Sequence, residues 1–415
     1  MPACKVIVAG AGGRGRAYAN YIKKHPDEGT VVGVAEPIDF RRETVATRHN
    51  IPAENVFTDW VDMAAAPKFA DAVMICTQDA MHTAPAIAFA EKGYHILLEK
   101  PMAPTADECE RIVAAVKKAG VLFAVCHVLR YTRYTQTLKN LLASGAVGDI
   151  VSIQHLEPVG YWHQAHAFVR GPWRNTAESS FMLLAKSCHD IDWIHYIIGT
   201  KCKSVSSFGS LKHFRKEEAP EGSAERCLDC RIEPTCPYSA KKIYLDRFED
   251  GLRGWPLSPL ADGELTMEKL TDALRTGPFG RCVYACDNDV VDHQVVNLLF
   301  EGDLTASFTM TAFTQMRGRE TRIFGTRGEL RSDSSDIEIY DYLTETTRTI
   351  DTKATAGDIT GGHGGGDEGL MHGFLAALNT GEASKVLTGP DETLESHLIT
   401  FAAERARVEN RVVDL

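Results

Sequence analysis

A strand-sized apolar run, Lys5 to Ala9, leads directly into Gly10-Ala11-Gly12-Gly13-Arg14-Gly15 and then into a helical pattern from Arg16 to Lys24. Glycine at the first, third and sixth positions lets the chain turn tightly, lets a ligand approach the backbone, and lets the helix pack on the sheet. The helix N-terminus then aims backbone N–H groups at an anion. Glu36 ends the next apolar run, about twenty residues beyond the last glycine, where a carboxylate can accept hydrogen bonds from ribose hydroxyls. Gly10, Gly12, Gly13, Arg14, Gly15 and Glu36 together predict a dinucleotide site. An acid at position 36 repels the extra phosphate of NADP, so NAD is the expected cofactor. Arg41 and Arg42 lean the other way, unless they are solvated charges on a surface helix.

Further Val- and Ile-rich runs follow at Val31 to Ala35, Ala72 to Cys76, His95 to Leu98 and Val121 to Val125. Near-continuous apolarity is what strands buried on both faces require. Helical patterns lie between them, so residues 1–128 read as a doubly wound α/β domain with a parallel sheet. From about Val151 the strands follow one another without crossover helices: Val151 to Glu157, Lys203 to Gly209, Val291 to Phe300, Leu304 to Ala312, Arg319 to Gly325 and Glu329 to Ser332. Residues 129–415 therefore read as an α+β domain with a mostly antiparallel open sheet, one face covered by helices at Ser187 to Ile198, Glu368 to Thr380 and Asp391 to Asn410. A stretch rich in Pro, charge and cysteine, about residues 211–278, fits neither pattern and reads as an insertion.

At 415 residues two cores are expected, with a cleft between them. Forty-five basic against 56 acidic residues give a net charge of -11, the wrong sign for a nucleic-acid binder. No run has the length of a membrane span and the N-terminal run is too short for a signal peptide, so a cytoplasmic protein is expected. Most of the 11 cysteines stand singly in apolar surroundings, as buried thiols do. Cys227, Cys230 and Cys236 are clustered instead. They read as free thiols, as ligands of an iron–sulfur cluster, or foremost as three ligands of a structural zinc site completed by His213 or Cys202.

The stretch from Cys76 to His82, the Leu98-Glu99-Lys100-Pro101 motif, His127 to Tyr131 and Ser187 to Asp192 resemble the glucose-fructose oxidoreductase and inositol dehydrogenase family, Gfo/Idh/MocA, over nearly the whole chain. The resemblance implies that Lys100 faces a substrate hydroxyl beside the nicotinamide, that Thr77, His82 and Glu99 line its ribose, that His127 joins the cofactor contacts, and that His189 handles a proton. An ammonium at Lys100 would polarise the reacting oxygen. The family commonly carries an aspartate four residues before the histidine. Here Ala185 stands in that place and Lys186 follows, leaving His189 as sole relay with Lys186 as a substrate or electrostatic group. His189 otherwise reads as a helix-capping histidine.

Tyr161, His163, His166, Trp173 and Arg174 crowd one short stretch, and such aromatic, imidazole and guanidinium groups suit a carbohydrate. A surface loop, or a metal held by the two histidines, reads from the same residues. Asp287 to His293, and His363 to Asp367 inside a glycine-rich run, are further candidates, with Asp367 also suited to capping the next helix.

The expectation is an NAD-dependent oxidoreductase acting on a secondary alcohol of a sugar, sugar acid or cyclitol. The alternatives are a redox-neutral NAD-dependent glycosidase, as some members of the family are, and a non-catalytic NAD-binding regulator. The resemblance further implies a homodimer or homotetramer built through the open sheet face.

Overall fold

The computed structural model describes residues 3–352 and 363–415. Gly361 and Gly362 of the glycine-rich run thus lie outside the described residues. The first six strands are β1 (Cys4–Ala9), β2 (Gly29–Ala35), β3 (Val56–Phe57), β4 (Ala72–Ile75), β5 (His95–Leu98) and β6 (Phe123–Val125). All pair in parallel in the order β3-β2-β1-β4-β5-β6. This is the doubly wound topology, in which the strand order reverses between β1 and β4 and leaves a crevice at the strands' C-terminal ends. The apolar runs form the strands because helices cover both faces: Val6, Val8 and Met74 meet one core while Ile7, Val73 and Ile96 meet the other. Local signals fix the helix ends. In the helix Ala106–Ala119, the Thr105 side chain accepts from the Glu108 amide and Gly120 closes the end at φ 64°, two devices worth about 1 kcal/mol or so apiece.

The second sheet has nine strands: β7 (Ile150–Pro158), β8 (Cys202–Ser210), β9 (His293–Phe300), β10 (Thr305–Thr311), β11 (Glu320–Gly325), β12 (Gly328–Ser332), β13 (Asp336–Asp341), β14 (Thr346–Asp351) and β15 (Val413–Asp414). Their order is β14-β13-β12-β11-β7-β10-β9-β8-β15, antiparallel except between β7 and β10. The expected strands are all present, and β13, β14 and β15 extend them. One face buries Ile153, Val296, Leu298, Phe308 and Ile323 against Trp193, Ile194 and Ile197 of the helix Cys188–Ile198 and against Ile399 of the helix Pro390–Glu409. The other face is a broad groove lined mainly by polar side chains such as Gln154, Thr309, Arg322, Arg331 and Glu338.

One expectation is corrected. The helix Gly366–Thr380 does not cover the second sheet. Its Leu370, Met371, Phe374 and Leu375 pack into the nucleotide domain, so a late segment of the chain comes back beside the cleft. The insertion's apolar residues, including Phe214, Tyr238, Ile243, Tyr244, Leu257 and Leu274, pack in one cluster with Ala165, Val169, Phe279, Val283 and Ala312 of the second domain. Among the described residues no helix is long and apolar enough to cross a membrane.

Candidate active site

The glycines divide two tasks. A Cβ on Gly10, where φ is +95°, would stand 2.6 Å from the Cys76 carbonyl oxygen, and one on Gly15 would stand 2.0 Å from that of Gly10. Those two close the strand-to-helix turn. Gly12 and Gly13 face open space, with nothing within 4 Å of a Cβ, and no side chain caps the helix Gly13–Lys24 that begins there. Its first N–H groups are thus available to a pyrophosphate. Glu36 is buried beside the loop, its Oε2 accepting from the Ala11 amide (2.7 Å) and its Oε1 from the Ile38 amide (3.1 Å). Each oxygen keeps acceptor capacity for a ribose hydroxyl. Arg42 donates to the Glu36 carbonyl (2.7 Å) and pairs with Asp39, while Arg41 pairs with Asp262 of the insertion at 3.1 Å. Neither arginine is left uncompensated for a second phosphate. The residues present fit NAD.

Other members of the expected cofactor set are bonded within the protein. Arg14 is engaged by Glu99 (2.7 Å), by the Tyr18 hydroxyl and by Asp367, so its guanidinium ties the loop to β5 and to the helix Gly366–Thr380. His82 is buried, with Nδ1 2.8 Å from the Pro101 carbonyl and Nε2 3.2 Å from that of Thr77. It clamps the turn after β4 to the motif after β5.

Lys100 follows β5 at the crevice. The Glu99 carboxylate, held ionised against its burial chiefly by Arg14, accepts from the Lys100 amide at 3.0 Å. Behind the motif, Met102 donates its amide to His397 Nε2 at 2.9 Å, fixing this turn to the helix Pro390–Glu409. Lys100 Nζ crosses the cleft and donates to the Ala185 carbonyl oxygen at 2.8 Å. The position that lacks the family's carboxylate therefore still engages the lysine, through its backbone.

His189 stands just beyond. It is 5% exposed and its Nδ1 has no hydrogen-bond partner. Burial, then the charge of Lys100, holds its pKa well below the ordinary histidine range, so it is neutral. The His127 ring lies edge-on to it at 5.6 Å, fully buried, its own pKa pushed down to about 3 by burial. Sequence reasoning missed what holds this cluster. Arg130 forms a two-pronged buried pair with Asp192 (2.8 and 2.6 Å), which also accepts from Ser396 Oγ at 2.9 Å. Asp190 is paired with Arg319 and with His155 Nε2 (3.1 Å). Lys186, expected near substrate, pairs with Glu157 at 2.9 Å, which Arg319 also reaches at 3.0 Å. Another imidazole, His363, has its ring centre 5.9 Å from that of His189, and its Nδ1 is 2.8 Å from Asp367 Oδ2. The Asp367 carboxylate does not cap its helix; Gly365 occupies the cap.

The aromatic stretch separates into different fates. His166 Nδ1 meets the Tyr244 hydroxyl at 2.8 Å and its ring stacks on Phe279, so it is a satisfied core residue. Trp173 packs on Phe168. Arg174 is tied to Asp287 (2.9 Å) and Glu178 (3.0 Å). Tyr161 is exposed beside Tyr238. His163 remains half-buried, and Lys186, His166 and Lys100 all add to the burial that depresses its pKa. Two insertion residues join it that the sequence did not single out. Trp255 lies 5.1 Å from Trp162 and 5.0 Å from His163, and Arg247 sits over the Trp162 ring at 3.8 Å.

The zinc expectation is corrected. Cys227, Cys230 and Cys236 share a cavity of about 20 Å³ with Cys282 and Arg170, but His213 bonds to the Tyr284 hydroxyl (3.0 Å) and Cys202 to the Leu299 carbonyl (3.6 Å). Among the described residues no three His, Cys, Asp or Glu side chains are arranged to hold a metal ion. All the cysteines are free thiols.

Comparison with known proteins bears on the whole chain. The Gfo/Idh/MocA family model for the NAD-binding Rossmann fold matches residues 4–127, and the family's C-terminal alpha/beta domain model matches residues 139–415. YteT of Bacillus subtilis (strain 168), whose name calls it an oxidoreductase, is 22% identical over 371 residues, 83% of this chain and 81% of its own length. The 2,7-anhydro-N-acetylneuraminate hydratase of Escherichia coli (strain K12) is 28% identical over 154 residues, 37% of this chain and 40% of that protein. A levoglucosan dehydrogenase solved with NADH and L-sorbose aligns over 100% of this chain and 99% of its own, with TM-score 0.71 and 19% identity, a likeness of fold.

Proposed function

The chain belongs to the Gfo/Idh/MocA oxidoreductase family, and from that premise we propose that it catalyses NAD-dependent oxidation of a secondary alcohol on a sugar, sugar acid or cyclitol. The observation that carries this is the reach of Lys100 Nζ to the Ala185 carbonyl at 2.8 Å, which puts an ammonium between the nucleotide crevice and His189. When bound, NAD supplies the acceptor for the hydride. Gly12 and Gly13 leave room for its pyrophosphate and Glu36 takes its ribose. Lys100 donates to the substrate oxygen and stabilises negative charge growing there. The neutral His189 beside it can accept a proton without having to lose one first. His163, Trp162 and Trp255 form the sugar-facing wall. The relatives named as a levoglucosan dehydrogenase and an inositol dehydrogenase support a polyhydroxylated ring as substrate.

A redox-neutral cycle of oxidation, elimination, addition of water and re-reduction is the second reading, favoured by the partly exposed imidazole of His363 beside His189. Incubation with NAD and a panel of free sugars, sugar acids, cyclitols, anhydro-sugars and aryl glycosides separates the two. Stoichiometric NADH with an alcohol supports the first. Aglycone release or hydration that needs NAD but accumulates no NADH supports the second, and no turnover of either kind overturns both. Assembly as two or four copies through the outer face of the second sheet accompanies this reading. Phe208 and Val295, paired across β8 and β9, are 60% and 37% exposed there.

A further inference from the structure

We propose that His363 and Asp367 form a second acid–base unit of the site, the group that removes and returns a proton at the carbon next to the oxidised one. This rests on the reading that the site oxidises an alcohol.

The dyad is built from the end of the chain. His363 immediately precedes the helix Gly366–Thr380, whose apolar face is buried in the nucleotide domain, and Asp367 lies in that helix's first turn. Asp367 is completely buried, and a carboxylate so placed needs charge compensation. Arg14 supplies it on one oxygen and His363 Nδ1 bonds the other at 2.8 Å. A carboxylate only accepts, so the proton is fixed on Nδ1 and Nε2 is the basic nitrogen. The same carboxylate neutralises the imidazolium that forms when Nε2 takes a proton, the role of the acid in a His–Asp pair.

Placement argues for substrate rather than for packing. The His363 ring centre lies 5.9 Å from that of His189, and Lys100 and His363 both act electrostatically on His189. The His363 side chain is 28% exposed whereas His189 is 5% exposed, so of the two imidazoles His363 is the one an entering ligand meets. His189 serves the hydroxyl proton in the oxidation step, so the proton on the neighbouring carbon needs a separate base. Ala185 leaves the cluster without the family's carboxylate at that point. The Asp367 side chain brings one back from a distant part of the chain.

The chemistry is a proton transfer. Once an alcohol carbon has become a carbonyl, the adjacent C–H bond breaks, its proton passes to His363 Nε2, and the electron pair moves onto the carbonyl oxygen as an enolate beside the Lys100 ammonium. Return of the proton to carbon restores the ketone; delivery to a leaving oxygen one carbon further completes an elimination.

Two measurements test this. With 15N-histidine labelling and no cofactor, one imidazole should show a hydrogen-bonded Nδ1–H that Asp367→Asn and His363→Asn both abolish; its persistence in His363→Asn would remove the dyad. With NAD in D2O, sugars from the panel that are oxidised should gain deuterium at the neighbouring carbon, read by NMR. In His363→Asn the ratio of deuterium uptake to NADH formation should fall about 100-fold or more, while Lys100→Ala should lower both together. Oxidation with no deuterium uptake, or with the same ratio in His363→Asn, overturns the proposal and leaves the oxidoreductase reading intact. Neither NADH nor deuterium uptake with any compound overturns that reading, and the inference with it.

Discussion

Lys100 Nζ donates to the Ala185 carbonyl oxygen at 2.8 Å, so a side chain from the end of a nucleotide-domain strand is held by the backbone of the other domain. A main-chain acceptor orients the ammonium without neutralising it. The full charge thus remains for a substrate oxygen, which a partner carboxylate would have shared. Lys100→Ala should lower kcat by about 100- to 10,000-fold on any responsive substrate, with a small change in melting temperature because one hydrogen bond is lost. Lys100→Arg should not restore the rate, since a planar guanidinium cannot replace a compact donor. Steady-state kinetics beside thermal melts checks both; unchanged kcat in Lys100→Ala would remove this residue from the chemistry.

Cofactor choice follows from the pairing of charges around Glu36. Loss of a hydrogen bond to a charged acceptor costs about 1.5–3 kcal/mol, so Glu36→Ser should weaken NAD about 10- to 100-fold. NADP should gain little, because Arg42 is held by the Glu36 carbonyl and Asp39, and Arg41 by Asp262. Combining Glu36→Ser with Asp262→Ala should release Arg41 and raise NADP affinity above that of the single variant. Fluorescence titration of the parent and both variants with each dinucleotide measures the constants.

Acid should destabilise the protein in two stages. His127 and His166 have folded pKa values pushed down to about 3 by burial, against an ordinary 6.5. Between pH 6.5 and 3 the unfolded chain binds protons the folded chain refuses, so stability falls as pH falls through that window. Asp192, held at about 2 by Arg130 against an ordinary 3.8, adds stability that is present above 3.8 and lost toward 2. Urea midpoints should therefore be highest above pH 6.5, decline steadily to about pH 4 and drop further below. His127→Leu should flatten the first stage by about one proton, or about 1.4 kcal/mol per pH unit. An unchanged slope in that variant would mean His127 is not buried neutral.

The glycine loop, Glu36 and the first-domain strands were legible because each is a local requirement: a turn without Cβ atoms, a carboxylate at a strand end, apolar residues on both faces. Asp336 to Tyr340, with Ile337 and Ile339 buried, forms β13, which was not among the expected strands although its residues alternate. Side-chain engagement was not legible. His163 and His166 look alike in sequence, yet only His166 finds a hydroxyl, from Tyr244 of the insertion. Arg174 and Arg247 differ in the same way, one paired by Asp287 and Glu178, the other not. The nearness of His363 to His189 depends on the helix Gly366–Thr380 docking on the first domain, which no local pattern records.

Arg247 also offers a test of substrate charge. Its guanidinium lies over Trp162 at 3.8 Å, half-buried, and among the described residues no carboxylate comes within ion-pair distance of it. Burial without a carboxylate partner lowers its pKa, opposed only by Tyr161 and Tyr244. A ring stacked on Trp162 or Trp255 that carried a carboxylate would supply the missing charge, and a fork of two N–H donors suits that group. Arg247→Ala should then raise KM for sugar acids about tenfold or more while changing KM for the matching neutral sugars far less. Its kcat should move little for either, because the arginine binds a part of the ring remote from Lys100. Equal loss for neutral and acidic substrates would mean that Arg247 serves only to brace Trp162.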